Sequence, residues 1–180
     1  MAHVNHGRFV WHDLMSKDPG ADLAFLKDLV GWTTDDRFKD YPMLMAGEAG
    51  VGGVGALKAG DGQGSHWIGY VVVSDLDATL AAAEAAGGKI KVPAFDIPDV
   101  GRSAVVTDPN GAVFSPLEPA TAEDMLPKGD WGPGRFCWWE LVTKDPAGAQ
   151  AFYGQVIGWG CHEVDMGGRP YWLWLKGDEA

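Results

Sequence analysis

The chain has 180 residues, 46% of them hydrophobic and 22% charged, and carries a formal net charge of −11. This length and composition are typical of one or two globular domains with a buried core. The acidic balance argues against nucleic acid and anionic membranes as partners, because both attract clusters of Lys and Arg.

No apolar window approaches 18 residues, and the N-terminal residues lack the basic start and apolar stretch of a signal peptide. Cys137 and Cys161 stand in neither a metal-type nor a redox-type pair, so reduced thiols are expected. These features together predict a cytoplasmic protein.

The predicted elements follow a strand-helix-strands order that occurs twice within residues 7–118. Asp18 is the predicted N-cap of a first helix over 21–30, with Pro19 at its first position and Gly31 as its end. Asp75 is the predicted N-cap of a second helix that ends at Gly87. The predicted strands cover residues 9–15, 41–46, 51–58, 67–73, 89–92, 103–107 and 112–117.

The segment from Gly7 to Trp32 occurs a second time from Gly134 to Trp159, at a constant offset of 127 residues. Of these 26 positions, 12 are identical and no gap is needed. Residues 1–120 are therefore predicted to form a complete module of two βαβββ motifs. Residues 121–134, rich in Pro, Gly and acidic side chains, are the predicted linker, and residues 135–180 are predicted to be an incomplete second module.

The chain resembles the vicinal oxygen chelate superfamily, and most closely its glyoxalase/bleomycin-resistance-like proteins with tandem modules. The motifs that carry the resemblance are Asp18-Pro19, Ala24-Phe25, Gly31-Trp32, His66–Asp75, Val92–Arg102 and Thr107–Phe114. The resemblance implies an α+β fold in which paired βαβββ units form curled mixed sheets around a cavity.

Metal enzymes of that superfamily carry His or Gln early in the first strand of a unit and Glu in its last strand. Carried over by position, the expected ligands fall on Trp11, Ile68 and Ser115. None of these is a ligand of the expected type, so the sequence predicts a degenerate metal site and no metal cofactor.

Strand alternation predicts that Trp11 and Asp13 share one face, with His12 on the other. His12 is predicted to be a core histidine, since the second copy has Trp139 there, whereas it keeps an acid, Glu140, at the position of Asp13. The predicted ligand-binding residues are Trp11, Asp13, Tyr41, His66, Trp67, Tyr70 and Ser115.

A Gly-x-Gly-x-x-Gly spacing over Gly50–Gly55 is predicted to be a glycine-rich turn, because no helix can follow to hold a pyrophosphate. Three functions stay open. The first is a small-molecule-binding protein without metal chemistry. The second is a metal-dependent lyase or dioxygenase. The third is a truncated paralogue that forms a homo-oligomer through its incomplete third βαβββ unit.

Overall fold

The computed structural model describes residues 2–35, 37, 40–58, 64–123 and 132–176. Over these residues the chain forms ten strands and three helices. In chain order the elements are β1 (Phe9–Ser16), α1 (Pro19–Val30), β2 (Thr33–Asp35), β3 (Met43–Ala46), β4 (Ala49–Ala56), β5 (His66–Val72), α2 (Leu76–Ala85), β6 (Lys89–Ile97), β7 (Gly101–Thr107), β8 (Val113–Pro119), α3 (Pro146–Val156), β9 (Gly160–Asp165) and β10 (Pro170–Leu175).

The helices begin at aspartates, as predicted for α1 and α2. The side chain of Asp18 accepts a hydrogen bond from Ala21 N at 3.0 Å, and Asp75 accepts one from Ala78 N at 2.8 Å. Each bond satisfies a backbone donor that the first helical turn leaves without a partner. Gly31 ends α1 in the left-handed conformation, at a φ of 71°.

Within residues 7–118, two strands differ clearly from the prediction. The three-residue β2 carries no apolar alternation and was not predicted. β6 continues to Ile97 rather than ending at residue 92, because its pairing with β7 shifts register between Val92 and Phe95 and so passes Pro93. Such irregularities are the places in a sheet where proline is tolerated.

The described residues divide into two compact units. The first compact unit comprises residues 10–69 and the described part of 125–140; the second comprises residues up to Phe9, Tyr70–Asp124 and the part from Leu141 onward. Each unit therefore combines segments from both copies of the repeat. The module boundaries predicted from the sequence, 1–120 and 135–180, are not tested by this partition and stay a prediction. Residues 124–131 of the predicted linker lie outside the described residues.

In the first compact unit the strand order is β2-β3-β4-β1, with β1 parallel to β4 and the other pairs antiparallel. In the second it is β5-β8-β7-β6, again with one parallel pair, β5 and β8. The chain thus repeats one βαβββ topology. The predicted α+β class with mixed sheets is confirmed.

The two cores differ in how much helix they bury. The core of the second compact unit contains buried side chains from both α2 and α3, which contact each other. The core of the first consists of Leu14, Trp32, Leu44, Val51 and Val54, and α1 contributes no fully buried residue to it. None of the three described helices has the length and apolar character needed to cross a membrane.

Candidate functional site

The two faces of β1 have different neighbours, and this difference defines the candidate site. His12 and Leu14 are buried, Leu14 within the core of the first compact unit. Trp11 and Met15, on the other face, are half-buried, and Asp13 between them is 7% exposed. The predicted alternation of β1 is thus confirmed, and Asp13 lies on the face opposite the core.

Trp11, Asp13 and Tyr41 form one hydrogen-bonded cluster. The indole Nε1–H of Trp11 donates to the Tyr41 hydroxyl at 2.7 Å and to Asp13 Oδ1 at 3.1 Å, and the Tyr41 hydroxyl donates to the same carboxylate oxygen. A carboxylate this buried is costly unless hydrogen bonds replace its water. The structure therefore brings three of the predicted ligand-binding residues together around a single carboxylate oxygen.

Glycines of β4 make room for this cluster. A Cβ on Gly53 would lie 2.1 Å from the Tyr41 ring, and one on Gly50 would lie 3.2 Å from the Trp11 ring. The predicted turn over Gly50–Gly55 is wrong, because these residues lie inside β4. Because glycine has no side chain, the Tyr41 and Trp11 rings can approach the backbone of the strand closely. Glycine within a strand often marks such a close approach.

His66 and Trp67 occupy different surroundings from the cluster. The Nδ1–H of His66 donates a hydrogen bond to the Gly64 carbonyl oxygen at 2.8 Å, in an exposed contact. The Trp67 ring packs edge-on against Trp32 and Phe136, with ring centroids 6.2 and 5.4 Å apart. Trp32 belongs to the core of the first compact unit and Phe136 packs against it. Trp67 therefore lies on the core side and not with Trp11 and Asp13.

Tyr70 and Ser115 are cross-strand partners in the second compact unit. They are paired in the parallel register of β5 and β8, so their side chains share a face. Phe114, the neighbour of Ser115, points to the opposite face and belongs to the core beneath α2 and α3. Ser115 is fully buried. Among the buried side-chain oxygens and nitrogens of the described residues, its Oγ is the one without a hydrogen-bond partner.

His12 is a neutral core histidine held between two aromatic residues of the second copy. Its ring stacks on Phe136 with centroids 3.7 Å apart and lies nearly parallel to Trp139. The Trp139 indole donates to Nε2 at 2.6 Å, so Nδ1 carries the proton and donates to the Val51 carbonyl at 3.3 Å. Burial is the main cause that lowers the pKa of His12 to about 4.

The sequence anticipated a buried His12 but not what covers it. Phe136 and Trp139 contact its ring, while Leu23 and Leu26 of α1 pack against the core that contains Leu14 of the same face. His12 and Trp139 are equivalent residues of the two copies, 127 positions apart. The sequence signal for this contact was the difference between the two copies: one has histidine, which can accept a hydrogen bond, where the other has tryptophan, which donates one. Two such residues can bond to each other where the copies meet.

The expected metal positions do not suit a divalent cation. The Trp11 indole nitrogen carries a hydrogen and donates, Ile68 is a buried hydrocarbon, and Ser115 offers one neutral hydroxyl. Throughout the described residues no group of three or more His, Cys, Asp or Glu side chains is arranged to hold a metal. The donor set at these positions therefore does not fit the metal of the related enzymes.

Comparison with known proteins identifies relatives of this chain. The sequence profile described as "Glyoxalase/Bleomycin resistance protein/Dioxygenase superfamily" matches residues 2–115. The Mycobacterium tuberculosis protein named "Putative glyoxylase CFP32" is 42% identical over 118 residues, which cover 63% of this chain and 45% of that protein. The chain thus spans less than half the length of this relative.

Two further matches, one of sequence and one of fold, extend over nearly the whole chain. Anthracycline biosynthesis protein DauV from Streptomyces sp. is 28% identical and is matched over 97% of this chain and 78% of its own. A solved variant of homoprotocatechuate 2,3-dioxygenase from B. fuscum superposes with a TM-score of 0.65 at 16% identity, covering 96% of this chain and 52% of that one. The structural likeness concerns the fold.

Proposed function

The chain belongs to the Glyoxalase/Bleomycin resistance protein/Dioxygenase superfamily, and from that premise we propose that it binds a small organic molecule at the cluster of Trp11, Asp13 and Tyr41. In this proposal the site has lost the metal of the related enzymes. The carboxylate orients the ligand, and the half-buried rings supply flat apolar surface.

The observation that carries the proposal is the setting of Asp13. Its carboxylate is 7% exposed and accepts hydrogen bonds from a tryptophan and a tyrosine. A charged group kept at such a place has a desolvation cost that an apolar residue would avoid. Binding of a ligand that donates a hydrogen bond or carries a positive charge is the use that accounts for this cost.

The class of ligand follows from charge and shape. A net charge of −11 disfavours anions and favours neutral or cationic molecules. Indole and phenol rings beside the carboxylate favour a planar partner that can stack on them. We therefore expect a planar aromatic compound that carries an amine or another N–H donor.

The test is calorimetric titration with a panel of planar aromatic amines, matched acids and uncharged analogues. For the compound that binds best, Asp13→Asn should raise the dissociation constant at least about tenfold, because a charge-assisted hydrogen bond is lost. Asp28→Asn, which changes an exposed carboxylate on α1, is the matched control and should leave the affinity unchanged. Equal binding by wild type and Asp13→Asn would overturn the proposal.

The competing function is a metal-dependent lyase or dioxygenase. The name of the relative "Putative glyoxylase CFP32" is the observation that favours it. Elemental analysis of untagged protein, followed by titration with Zn²⁺, Ni²⁺, Mn²⁺ and Fe²⁺, separates the two functions. We expect no binding at micromolar concentrations. One tightly held metal per chain would contradict the proposal and direct the work to lyase and dioxygenase assays.

The proposal includes a cytoplasmic location. It is supported by Cys137 and Cys161, both free thiols on the surface, since exposed thiols persist in a reducing compartment. Fractionation of the native host with an antibody against the protein would test this location, and recovery in the secreted or membrane fraction would contradict it.

A further inference from the structure

The turn between β7 and β8 carries an asparagine that directly precedes a glycine. The sequence has two asparagines, Asn5 and Asn110. Asn5 is 2% exposed and precedes His6, whereas Asn110 and Gly111 are both exposed in the turn. The two asparagines therefore differ in the two conditions that control the chemical stability of a carboxamide, its access to water and the bulk of the residue that follows it.

Gly111 leaves the backbone of this turn accessible. It has a φ of 97°, and beyond its chain neighbours no atom lies within 4 Å of the position that a Cβ would take. Its N–H donates to the Asp108 carbonyl oxygen at 3.1 Å. Because glycine rotates freely and has no side chain to shield its nitrogen, the opening of this one bond is enough to bring that nitrogen to the carboxamide of Asn110.

We propose that Asn110 is a site of spontaneous deamidation in the folded protein, with water as the co-reactant. The Gly111 nitrogen attacks Cγ of Asn110. A bond from this nitrogen to Cγ forms, the bond from Cγ to the carboxamide nitrogen breaks, and the proton of the Gly111 nitrogen leaves with ammonia. Water then opens the resulting succinimide. Attack at Cγ gives aspartate, and attack at the main-chain carbonyl carbon gives isoaspartate, in which the chain runs through Cβ and Cγ.

Asp108 gives the modification a structural consequence, because its carboxylate holds the turn together. Asp108 is 2% exposed, and its Oδ1 accepts hydrogen bonds from Asn110 N at 2.9 Å and from Ala112 N at 2.8 Å. These two donors lie on either side of the peptide bond between Asn110 and Gly111. Isoaspartate lengthens the chain between them by one atom, so the two donors cannot both keep their positions on one oxygen.

The effect extends to α3 through Tyr153. The Tyr153 hydroxyl donates to Asp108 Oδ2 at 3.4 Å, and its ring belongs to the core of the second compact unit. Either product also adds a negative charge two residues from the buried carboxylate of Asp108, and like charges repel each other. Deamidation should therefore weaken the attachment of α3 to this turn, progressively as the protein ages.

Incubation of the whole protein in mildly alkaline buffer at body temperature, followed by peptide mapping with mass spectrometry, tests the proposal. We expect isoaspartate to accumulate at position 110 at least about tenfold faster than at Asn5, which burial protects. A parallel sample in urea gives the rate in the unfolded chain. The folded protein should react at position 110 within about tenfold of that rate, because a single backbone hydrogen bond must open. A slower reaction in the folded protein overturns the proposal.

Two variants separate the consequence of the modification from other effects of ageing. Asn110→Asp carries the new charge without the extra backbone atom, and Asn110→Ser has no carboxamide to lose. The isoaspartate form, isolated by chromatography, should unfold at a lower urea concentration than fresh Asn110→Asp, while aged Asn110→Ser should keep its midpoint. An isoaspartate form as stable as Asn110→Asp would overturn the assigned role of Asp108, and so would an equal loss of stability in aged Asn110→Ser.

Discussion

The indole N–H of Trp32 donates a hydrogen bond to the carbonyl oxygen of Gly134, at 2.7 Å and 102 residues further along the chain. The reciprocal bond also exists: Trp159, the equivalent of Trp32, donates to Gly7, the equivalent of Gly134, at 2.8 Å. The first bond lies within the first compact unit and the second within the second. Each copy thus supplies the tryptophan in one unit and the glycine in the other.

Substitution of either glycine should destabilise the protein for the same two reasons. Gly7 and Gly134 have φ values of 79° and 77°, which a side chain disfavours, and an added Cβ would lie 2.9 and 3.0 Å from the indole nitrogens. We expect Gly134→Ala to cost about 2 kcal/mol of unfolding free energy in urea titrations. Gly64→Ala, which meets no atom within 4 Å, should cost much less.

Protonation of His12 should destabilise the folded state in acid. Its pKa is about 4 when folded and 6.5 ordinarily, so the unfolded chain binds the extra proton between these values. Stability should be fully present above pH 6.5 and fall by about 3 kcal/mol toward pH 4. Urea titrations at a series of pH values measure this slope. His12→Gln should flatten it, while the control His66→Gln should retain it; an unchanged slope in His12→Gln would contradict the prediction.

Two buried serines on neighbouring strands should respond oppositely to alanine. Ser115 Oγ lacks a hydrogen-bond partner among the described residues, so Ser115→Ala should raise the unfolding free energy by about 1 kcal/mol. Ser103 Oγ donates to the Pro116 carbonyl at 2.9 Å, so Ser103→Ala should lower it by a similar amount. A loss of stability in both variants would show that Ser115 has a bonding partner in solution.

Removal of residues 121–180 tests the predicted module boundaries directly. The fragment 1–120 would lose Phe152, Tyr153, Val156 and Ile157, which share a core with Leu76 and Leu80. We expect the fragment to aggregate or to lack a cooperative unfolding transition, because this apolar surface becomes exposed. A monomeric fragment that unfolds cooperatively would instead support residues 1–120 as an independent module.

Part of the candidate site could be predicted from local pattern. Alternation along β1 placed Trp11 and Asp13 on one face, and the acid kept at Glu140 singled out Asp13. The position of Tyr41 against Gly53 could not be derived, since it depends on the register of β4 with its neighbours. Trp67 was grouped with the site by its aromatic character alone, and the structure places it with Trp32 instead.

The sequence by itself determined the elements that depend on near neighbours: the aspartate caps, most strand positions, the repeated βαβββ order and the family resemblance. Only the tertiary structure decided how the copies of the repeat are shared between compact units. It placed Phe136 and Trp139 on His12 and left the apolar face of α1 open while that of α3 is buried. These outcomes arise from contacts between residues far apart in the chain, such as His12 and Trp139 at 127 positions, on which local periodicity carries no information.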